Sequence, residues 1–298
     1  IREEFCDWVI DRFVGDYMDG RTPNPCVLCN THIKWAALLK RADNLGCDFI
    51  ATGHYARVRE ENGRHIISRG LDPKKDQSYA LWGVAQKHLE RTIFPLGGYS
   101  KPEIRQIAED HGLLNVANKP DSYEICFVPD DDYRRFLKDK VPGLEEKMKG
   151  GKFVDKDGNI LGDHEGYPFY TIGQRRGLNL PMGKPVYVTN INAITNTITI
   201  GEKEDLISST LTAKEINLIK YDKIPKSEME IIGAIRYNDD GAMGYLTQLG
   251  EDEIKVHFPT GREAITPGQA IVCYEGDDIV AGGWIKKVNV GMEDLISA

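Results

Sequence analysis

The run Phe49-Ile50-Ala51-Thr52-Gly53-His54-Tyr55-Ala56 is short, apolar at its start, and stopped by a Thr-Gly pair. A run of this kind reads as a buried parallel strand ending in a turn. Helical patterns surround it. Upstream, Asn30 reads as the cap of a helix carrying Ile33, Ala37, Leu38, Ala42 and Leu45, stopped by Gly46. Further upstream, Phe5, Val9, Phe13 and Tyr17 recur every four residues, one face of an opening helix. Downstream, His65-Ile66-Ile67-Ser68 reads as a second, more exposed strand. Ser100-Lys101-Pro102-Glu103 is a capping box with an early proline, followed by Ile104, Ile107 and Ala108, and Gly112 ends that helix. Helices alternating with short strands argue for an α/β domain built on a parallel sheet, over residues 1–137. Nucleotides bind at the carboxyl edge of such sheets, so Thr52-Gly53 reads equally as a nucleotide contact or as a plain turn.

The pattern changes after residue 137. Phe153-Val154-Asp155-Lys156-Asp157-Gly158-Asn159-Ile160-Leu161 reads as a hairpin around Asp157-Gly158, and β-branched residues alternate from Val186 to Ile200, broken at Asn196. These place a small β-rich domain at 138–205. From 206 to 298, strand signals recur at Ile231–Tyr237, Gly244–Leu249, Ile254–Phe258, Ala270–Tyr274 and Ile279–Val288. Turns such as Asp239-Asp240-Gly241 and Thr266-Pro267-Gly268 separate them, and a small β-barrel is the economical reading. A length of 298 residues agrees with two or three domains at about 150 residues each.

Composition excludes several classes. Apolar residues are 41% and charged residues 28%, ordinary for a soluble globular chain. No run of about 18 apolar residues exists, so no transmembrane helix and no membrane partner are expected. The start, Ile1-Arg2-Glu3-Glu4, is charged and unlike a signal peptide, and the missing initiator Met reads as a trimmed N-terminus. The net charge is −8, the opposite of a protein that holds nucleic acid by bulk charge. The stretch between Glu165 and Glu202 nevertheless has no acid while carrying Arg175, Arg176 and Lys184, so it could receive a polyanion. Six cysteines in a large, unsignalled chain point to a reducing, cytoplasmic compartment rather than to a disulfide framework.

Five segments could carry chemistry. In Thr22-Pro23-Asn24-Pro25-Cys26-Val27-Leu28-Cys29-Asn30, two prolines stiffen the backbone ahead of two thiols. With Asn30 as a cap, Cys29 would sit at a helix start, where the dipole favours its thiolate. The alternatives are an inert buried pair, or half of a zinc site with His32 and His54 as fillers. Cys126, between Ile125 and Phe127, alone reads as a core residue. With Cys26 and Cys29 it would make a sulfur-transfer pair plus a helper, or three ligands of an iron–sulfur cluster. Lys74-Lys75-Asp76-Gln77-Ser78 reads as a polar, solvated turn before a helix. In Phe169 to Leu178, aromatics stand beside Arg175 and Arg176 among glycines, a composition suited to phosphate and sugar contacts. Arg236-Tyr237, at the end of a barrel strand, has the same cation-plus-aromatic character.

Together these segments resemble the tRNA-specific 2-thiouridylase family. The resemblance runs in order over nearly the whole chain: Gly20-Arg21-Thr22-Pro23-Asn24-Pro25, Cys29-Asn30, Ala51 to Ala56, Lys75-Asp76-Gln77-Ser78, Cys126-Phe127, Thr171-Ile172-Gly173-Gln174-Arg175 and Pro267-Gly268-Gln269. It implies a nucleotide-hydrolase-like (PP-loop, or HUP) α/β domain, then the central β-rich domain and the C-terminal barrel. It implies an enzyme that replaces the C2 oxygen of the wobble uridine, position 34 of certain tRNAs, with sulfur. ATP, with Mg2+, would adenylate that oxygen, and a persulfide sulfur would then displace AMP. By the same resemblance Cys126 would carry the persulfide and Cys29 would be its catalytic partner, closing a disulfide with it. Asn24, Pro25 and Cys26 would surround the target base, and Gly53 would touch ATP. Lys75, Asp76 and Gln77, with Arg236 and Tyr237, would hold the tRNA. Arg175 and Arg176 join them on the strength of the acid-free segment. A cysteine desulfurase or a sulfur relay protein would supply the sulfur.

Two departures stand out. The family often has Asp where this chain has Cys26. Cys26 would then either act as a thiolate in its place or complete, with Cys29 and Cys126, a three-thiol set for a [4Fe–4S] cluster. The family's Ser-Gly-Gly-x-Asp-Ser pyrophosphate loop is also absent, so this chain as given is expected to bind ATP poorly. An RNA-binding protein without catalysis would need no such loop, but it would not need Cys29 and Cys126 either. A methyltransferase is rejected for want of a Gly-rich cofactor loop after a first strand.

Overall fold

The computed structural model describes residues 2–119 and 125–289. The opening helical run, 2–18, buries Val9, Phe13 and Tyr17, as their four-residue spacing predicts. A second run, 25–44, lies against it. This run starts at Pro25, not after Asn30. Proline fixes the helical φ and lacks a donor that the first turn would leave unpaired anyway, so it starts the helix early. Asn30 is therefore buried inside the helix, and its Nδ2 donates to the Ala80 carbonyl at 2.9 Å. Between Cys29 and Lys34 the helix widens into a π-turn. The turn changes the phase of the buried stripe. Trp35 and Leu39 face the core, while Leu38 (41% exposed) and Leu45 (68%) do not.

The strand Ile50–Ala51 pairs in parallel with Thr92–Ile93. Trp35 pins the pair from below, its Nε1 donating to Thr92 Oγ1 at 2.8 Å. The parallel sheet expected from the sequence has these two strands among the described residues. The hairpin Ala56–Glu61 with Arg64–Arg69 turns through Asn62 and Gly63, both at positive φ, and leaves this domain for the C-terminal sheet. There Asp278 pairs with Ser68. Arg59 reaches the Asp278 carboxylate at 2.7 and 2.9 Å, and Lys220 joins it at 2.8 Å. The capping box at Ser100 opens the helix Lys101–Asp110 as expected, but the face of Ile104, Ile107 and Ala108 is not buried among the described residues.

The central unit is a four-stranded sheet, in the order Ile160–Asp163, Lys152–Val154, Thr197–Gly201, Tyr187–Asn192. Its Asp155 carboxylate accepts from the Asp157 and Asn159 amides at 2.9 and 2.8 Å, closing the turn that the sequence marks at Asp157-Gly158. Its core of Phe153, Val188 and Ile198 is continuous with Phe13 and Tyr17 of the opening helix and with Phe136 of the helix Tyr133–Lys140. The α/β and central units thus share one packed junction.

The C-terminal strands close a barrel. Ala270–Glu275 pairs with both Met229–Ala234 and Asp278–Asn289, and the ring continues through Ala242–Gln248, Glu253–Glu263 and Ile207–Leu218. The strand Ile207–Leu218 is not marked by the sequence signals, because Ser208, Thr210 and Thr212 interrupt its apolar pattern. Met229–Ala234 ends before Arg236 and Tyr237, which therefore lie in the following turn and not on the strand.

Candidate functional site

The thiol loop is clamped from the barrel. Gln269 Nε2 donates to the carbonyls of Thr22 and Pro23, both at 3.0 Å. The Thr22 amide donates to the Pro267 carbonyl at 3.0 Å. Gly268 lies between them at φ +91°, so close that a Cβ there would stand 2.7 Å from the Thr22 carbonyl oxygen. The Pro267-Gly268-Gln269 motif thus has a plain structural task. It fixes the entry to the helix that carries Cys26 and Cys29. The Asn24 side chain meets the hydroxyl of buried Tyr79, which donates to the Ala270 carbonyl at 2.9 Å.

Cys26 lies in the first turn of that helix, exposed, and Cys29 lies one turn on, half-buried. Exposed Cys126 comes to them from a different segment. Its neighbour Phe127 is the anchor. That ring sits edge-on to Phe5 at 5.8 Å and to Phe13 at 5.2 Å, and lies 5.4 Å from Phe136. Three rings from two helices hold one turn, and Cys126 rides on it. A negative charge on Cys126 raises the proton affinity of both Cys26 and Cys29, so the three thiols share one neighbourhood. Residues 120–124, just ahead of this turn, lie outside the described residues.

The electrostatics correct the expectation for Cys29. It is inside the helix, not at its start, and burial pushes its thiol above the usual range. Burial does the same to Cys26, whose surface is accessible but whose surroundings are crowded with protein. Lys34 opposes the rise at both.

Among the described residues no group of three His, Cys, Asp or Glu side chains is arranged to hold a metal ion. The described side chains thus show no zinc site around Cys26 and Cys29. The two histidines offered as fillers are otherwise engaged. His32 stacks on Trp8 at 4.2 Å. His54 Nδ1 meets Thr52 Oγ1 at 2.9 Å, and its ring lies beside Trp35 and Phe94. Burial, aided by Lys34, lowers the His54 pKa to about 4, so it is neutral at pH 7.

Gly53 follows the strand end and is exposed, and a side chain there would meet only Leu96 at 3.8 Å. The segment at Lys75 is not the loosely solvated turn its composition allows. The Asp76 carboxylate accepts from the Gly70 amide at 2.9 Å and from the Ser78 hydroxyl at 2.7 Å. Gln77 Oε1 accepts from the Tyr55 amide at 3.0 Å. Tyr237 joins this segment, its hydroxyl donating to the Asp76 carbonyl at 3.3 Å. Asp239 ties the same turn, accepting from the Ile235 amide at 2.8 Å, and leaves Arg236 exposed. Two segments 161 positions apart in the chain are therefore one surface. Arg175 and Arg176 are exposed on the central domain, and Arg175 with Lys184 lines an open groove of about 500 Å3. Lys184 is ion-paired with Glu202, the acid that closes the acid-free stretch.

Three family models match in succession: the tRNA methyl transferase HUP domain over residues 1–130, the tRNA methyl transferase PRC-barrel domain over 134–202, and the aminomethyltransferase beta-barrel domain over 208–285. Curated relatives are similar over nearly the whole of this chain. The tRNA-specific 2-thiouridylase MnmA of Salinibacter ruber is 63% identical over 97% of this chain and 76% of its own length. Those of Amoebophilus asiaticus and Cytophaga hutchinsonii are 56% and 55% identical, each over 96% of this chain and 76% and 77% of their own lengths. The chain belongs to the tRNA-specific 2-thiouridylase family. The HUP match contains all three thiols, Gly53 and the Lys75 segment, while Arg175 and Arg236 fall in the two β matches. No helix among the described residues is long and apolar enough to cross a membrane.

Sequence reasoning missed two residues of the site. Gln269 was in plain view, but its partners lie 246 and 247 positions away. Lys34 had no signal, because only the π-turn brings it to the face of Cys29.

Proposed function

We propose that this protein is a tRNA 2-thiouridine sulfurtransferase acting at the wobble uridine. The observation that carries the proposal is the meeting of Cys126, on its Phe127 anchor, with the helix of Cys26 and Cys29. A binding protein has no use for such a set of thiols. ATP is the co-substrate, used with Mg2+, and Gly53 touches it at the strand end. The uridine O2 attacks the α-phosphorus of ATP, pyrophosphate leaves, and the adenylated C2 becomes electrophilic. Cys126 carries the transferable sulfur as a persulfide. That sulfur bonds to C2 and AMP leaves. The Cys29 thiolate attacks Cys126 Sγ, the persulfide S–S bond breaks, and a Cys29–Cys126 disulfide remains for a reductant to open.

Asn24, Pro25 and Cys26 surround the target base, which is unpaired at an anticodon tip and can be turned into the site. Cys26 takes the place of the family's acidic residue there. Lys75 and Arg236 offer charge to the tRNA backbone, on a surface that Asp76, Gln77 and Tyr237 brace, and Arg175 and Arg176 extend the contact on the central domain. The working division is 1–137 for catalysis, 138–205 and 206–298 for gripping tRNA. A cysteine desulfurase or a relay protein loads Cys126.

The test uses the natural full-length protein with unmodified tRNA, ATP, Mg2+ and a persulfide source. The tRNA is digested and 2-thiouridine is read by mass spectrometry. ATP-dependent 2-thiouridine that disappears in Cys126→Ser is the expected result. Intact tRNA binding with no 2-thiouridine under any donor refutes the proposal in favour of binding without catalysis.

A further inference from the structure

The helical run 25–44 carries a charge that none of the roles above uses. Lys34 is exposed on it and makes no ion pair or side-chain hydrogen bond with a described residue. It is the last residue of the π-turn that starts at Cys29. In an α-helix, five residues place two side chains about 140° apart. A π-turn instead closes its hydrogen bonds between residues five apart, and such turns recur at functional sites. Cys29 and Lys34 therefore share a side of the helix that a regular helix would deny them.

The charge map of the neighbourhood agrees with that geometry. Lys34 acts on Cys29, on Cys26 one turn earlier, and on His54 at the adjoining strand end. Cys126 faces the two thiols from the anchored turn, and Cys26 acts on Cys29. From the opening helix, Arg12 acts on His32, as does Glu215 of the barrel, and neither acts on the thiols. Among the described residues no carboxylate acts on Cys26 or Cys29. His54 is neutral at pH 7 and contributes no charge. Lys34 is thus the one cation that favours a negative sulfur here, among the described residues.

We propose that Lys34 is a positioning residue that favours the thiolate forms of Cys29 and Cys26 against their burial, for sulfur exchange. The proposal rests on the sulfur-transfer reading. Only the thiolate attacks a persulfide or a disulfide, and a buried thiol without help is mostly protonated at pH 7. Because the ammonium is exposed, its help weakens as salt rises.

The experiment follows iodoacetamide alkylation of Cys26 and Cys29 against pH in the full-length protein, resolved by peptide mass mapping. It compares the wild type with Lys34→Met, Lys34→Gln, Lys34→Arg and a control, Lys40→Met, an exposed lysine of the same helix. In Lys34→Met and Lys34→Gln both midpoints move to higher pH, and alkylation at pH 7 slows by about 3- to 10-fold. Lys34→Arg retains the wild-type profile, and Lys40→Met changes nothing. High salt moves the wild type towards Lys34→Met. Superimposable wild-type and Lys34→Met profiles overturn the proposal, and so does a Lys34→Arg profile shifted as far as Lys34→Met. Alkylation needs neither ATP nor tRNA. A wild type that makes no 2-thiouridine therefore refutes the sulfur-transfer reading separately, by a different assay.

Discussion

Phe127→Ala tests whether the aromatic anchor is what delivers Cys126. The ring touches Phe5, Phe13 and Phe136 at centroid distances of 5.2 to 5.8 Å and is partly buried against two cores. Aromatic pairs of this geometry contribute about 0.5–1.5 kcal/mol each beyond area burial, and truncating a fully buried Phe costs about 3–5 kcal/mol. Partial burial puts the loss at about 2–3 kcal/mol. Phe5, Phe13 and Phe136 keep other partners, such as Tyr17 beside Phe13 at 5.1 Å, so the loss falls mainly on the turn. A loss of 2–3 kcal/mol confined to the turn lowers its docked population by about 30- to 150-fold. The assay is the rate of Cys29–Cys126 disulfide formation under a mild oxidant, read on non-reduced peptide maps. The rate is expected to fall by at least about 10-fold, with the thermal midpoint of the whole protein nearly unchanged. An unchanged cross-linking rate in a folded Phe127→Ala protein would refute the anchoring argument.

Gly268→Ala forces a Cβ to 2.7 Å from the Thr22 carbonyl oxygen at φ +91°, so the urea midpoint should fall by the equivalent of about 1–3 kcal/mol; a neutral substitution would mean the barrel does not press on the thiol loop. Asp278 is held well below the usual carboxylate range by Arg59 first, with Lys220 and Ser68 assisting against burial. Its folded value lies under its unfolded one, so the network stabilises fully at neutral pH and its contribution fades as pH falls below about 4. Asp278→Asn should lower the thermal midpoint at pH 7 and narrow its difference from wild type by pH 3, and parallel curves would contradict this. Arg175→Ala should weaken tRNA binding and reduce the slope of log affinity against log salt by roughly one. An unchanged slope removes Arg175 from the tRNA surface.

Much of this architecture is legible in the sequence because periodicity is a local signal. Phe5, Val9, Phe13 and Tyr17 announce a helix, and Asp157-Gly158 announces a hairpin. The five barrel strands marked by recurrent strand signals between turns are present in the fold. The errors have physical causes. Asn30 is a good cap by type, but Pro25 had already started the helix, so the expected dipole activation of Cys29 disappears. The strand Ile207–Leu218 hides behind its serine and threonines, and the barrel pairs it on both sides regardless. The site was legible as a set of motifs and not as a geometry. Nothing local says that Gln269 grips Thr22, or that Phe127 docks against helices more than 100 positions upstream. Lys34 is hidden for a subtler reason. A π-turn is a one-residue change of helical phase, and tertiary packing creates it without a sequence mark.

The most direct test of the account asks which sulfur accepts the load. The full-length protein is incubated with a persulfide donor, without tRNA or ATP, and its cysteine peptides are weighed without reduction. The account predicts one added sulfur atom on the Cys126 peptide, and a Cys29–Cys126 disulfide in its place once unmodified tRNA and ATP are supplied. Added sulfur on Cys29 or Cys26 with Cys126 untouched would contradict it.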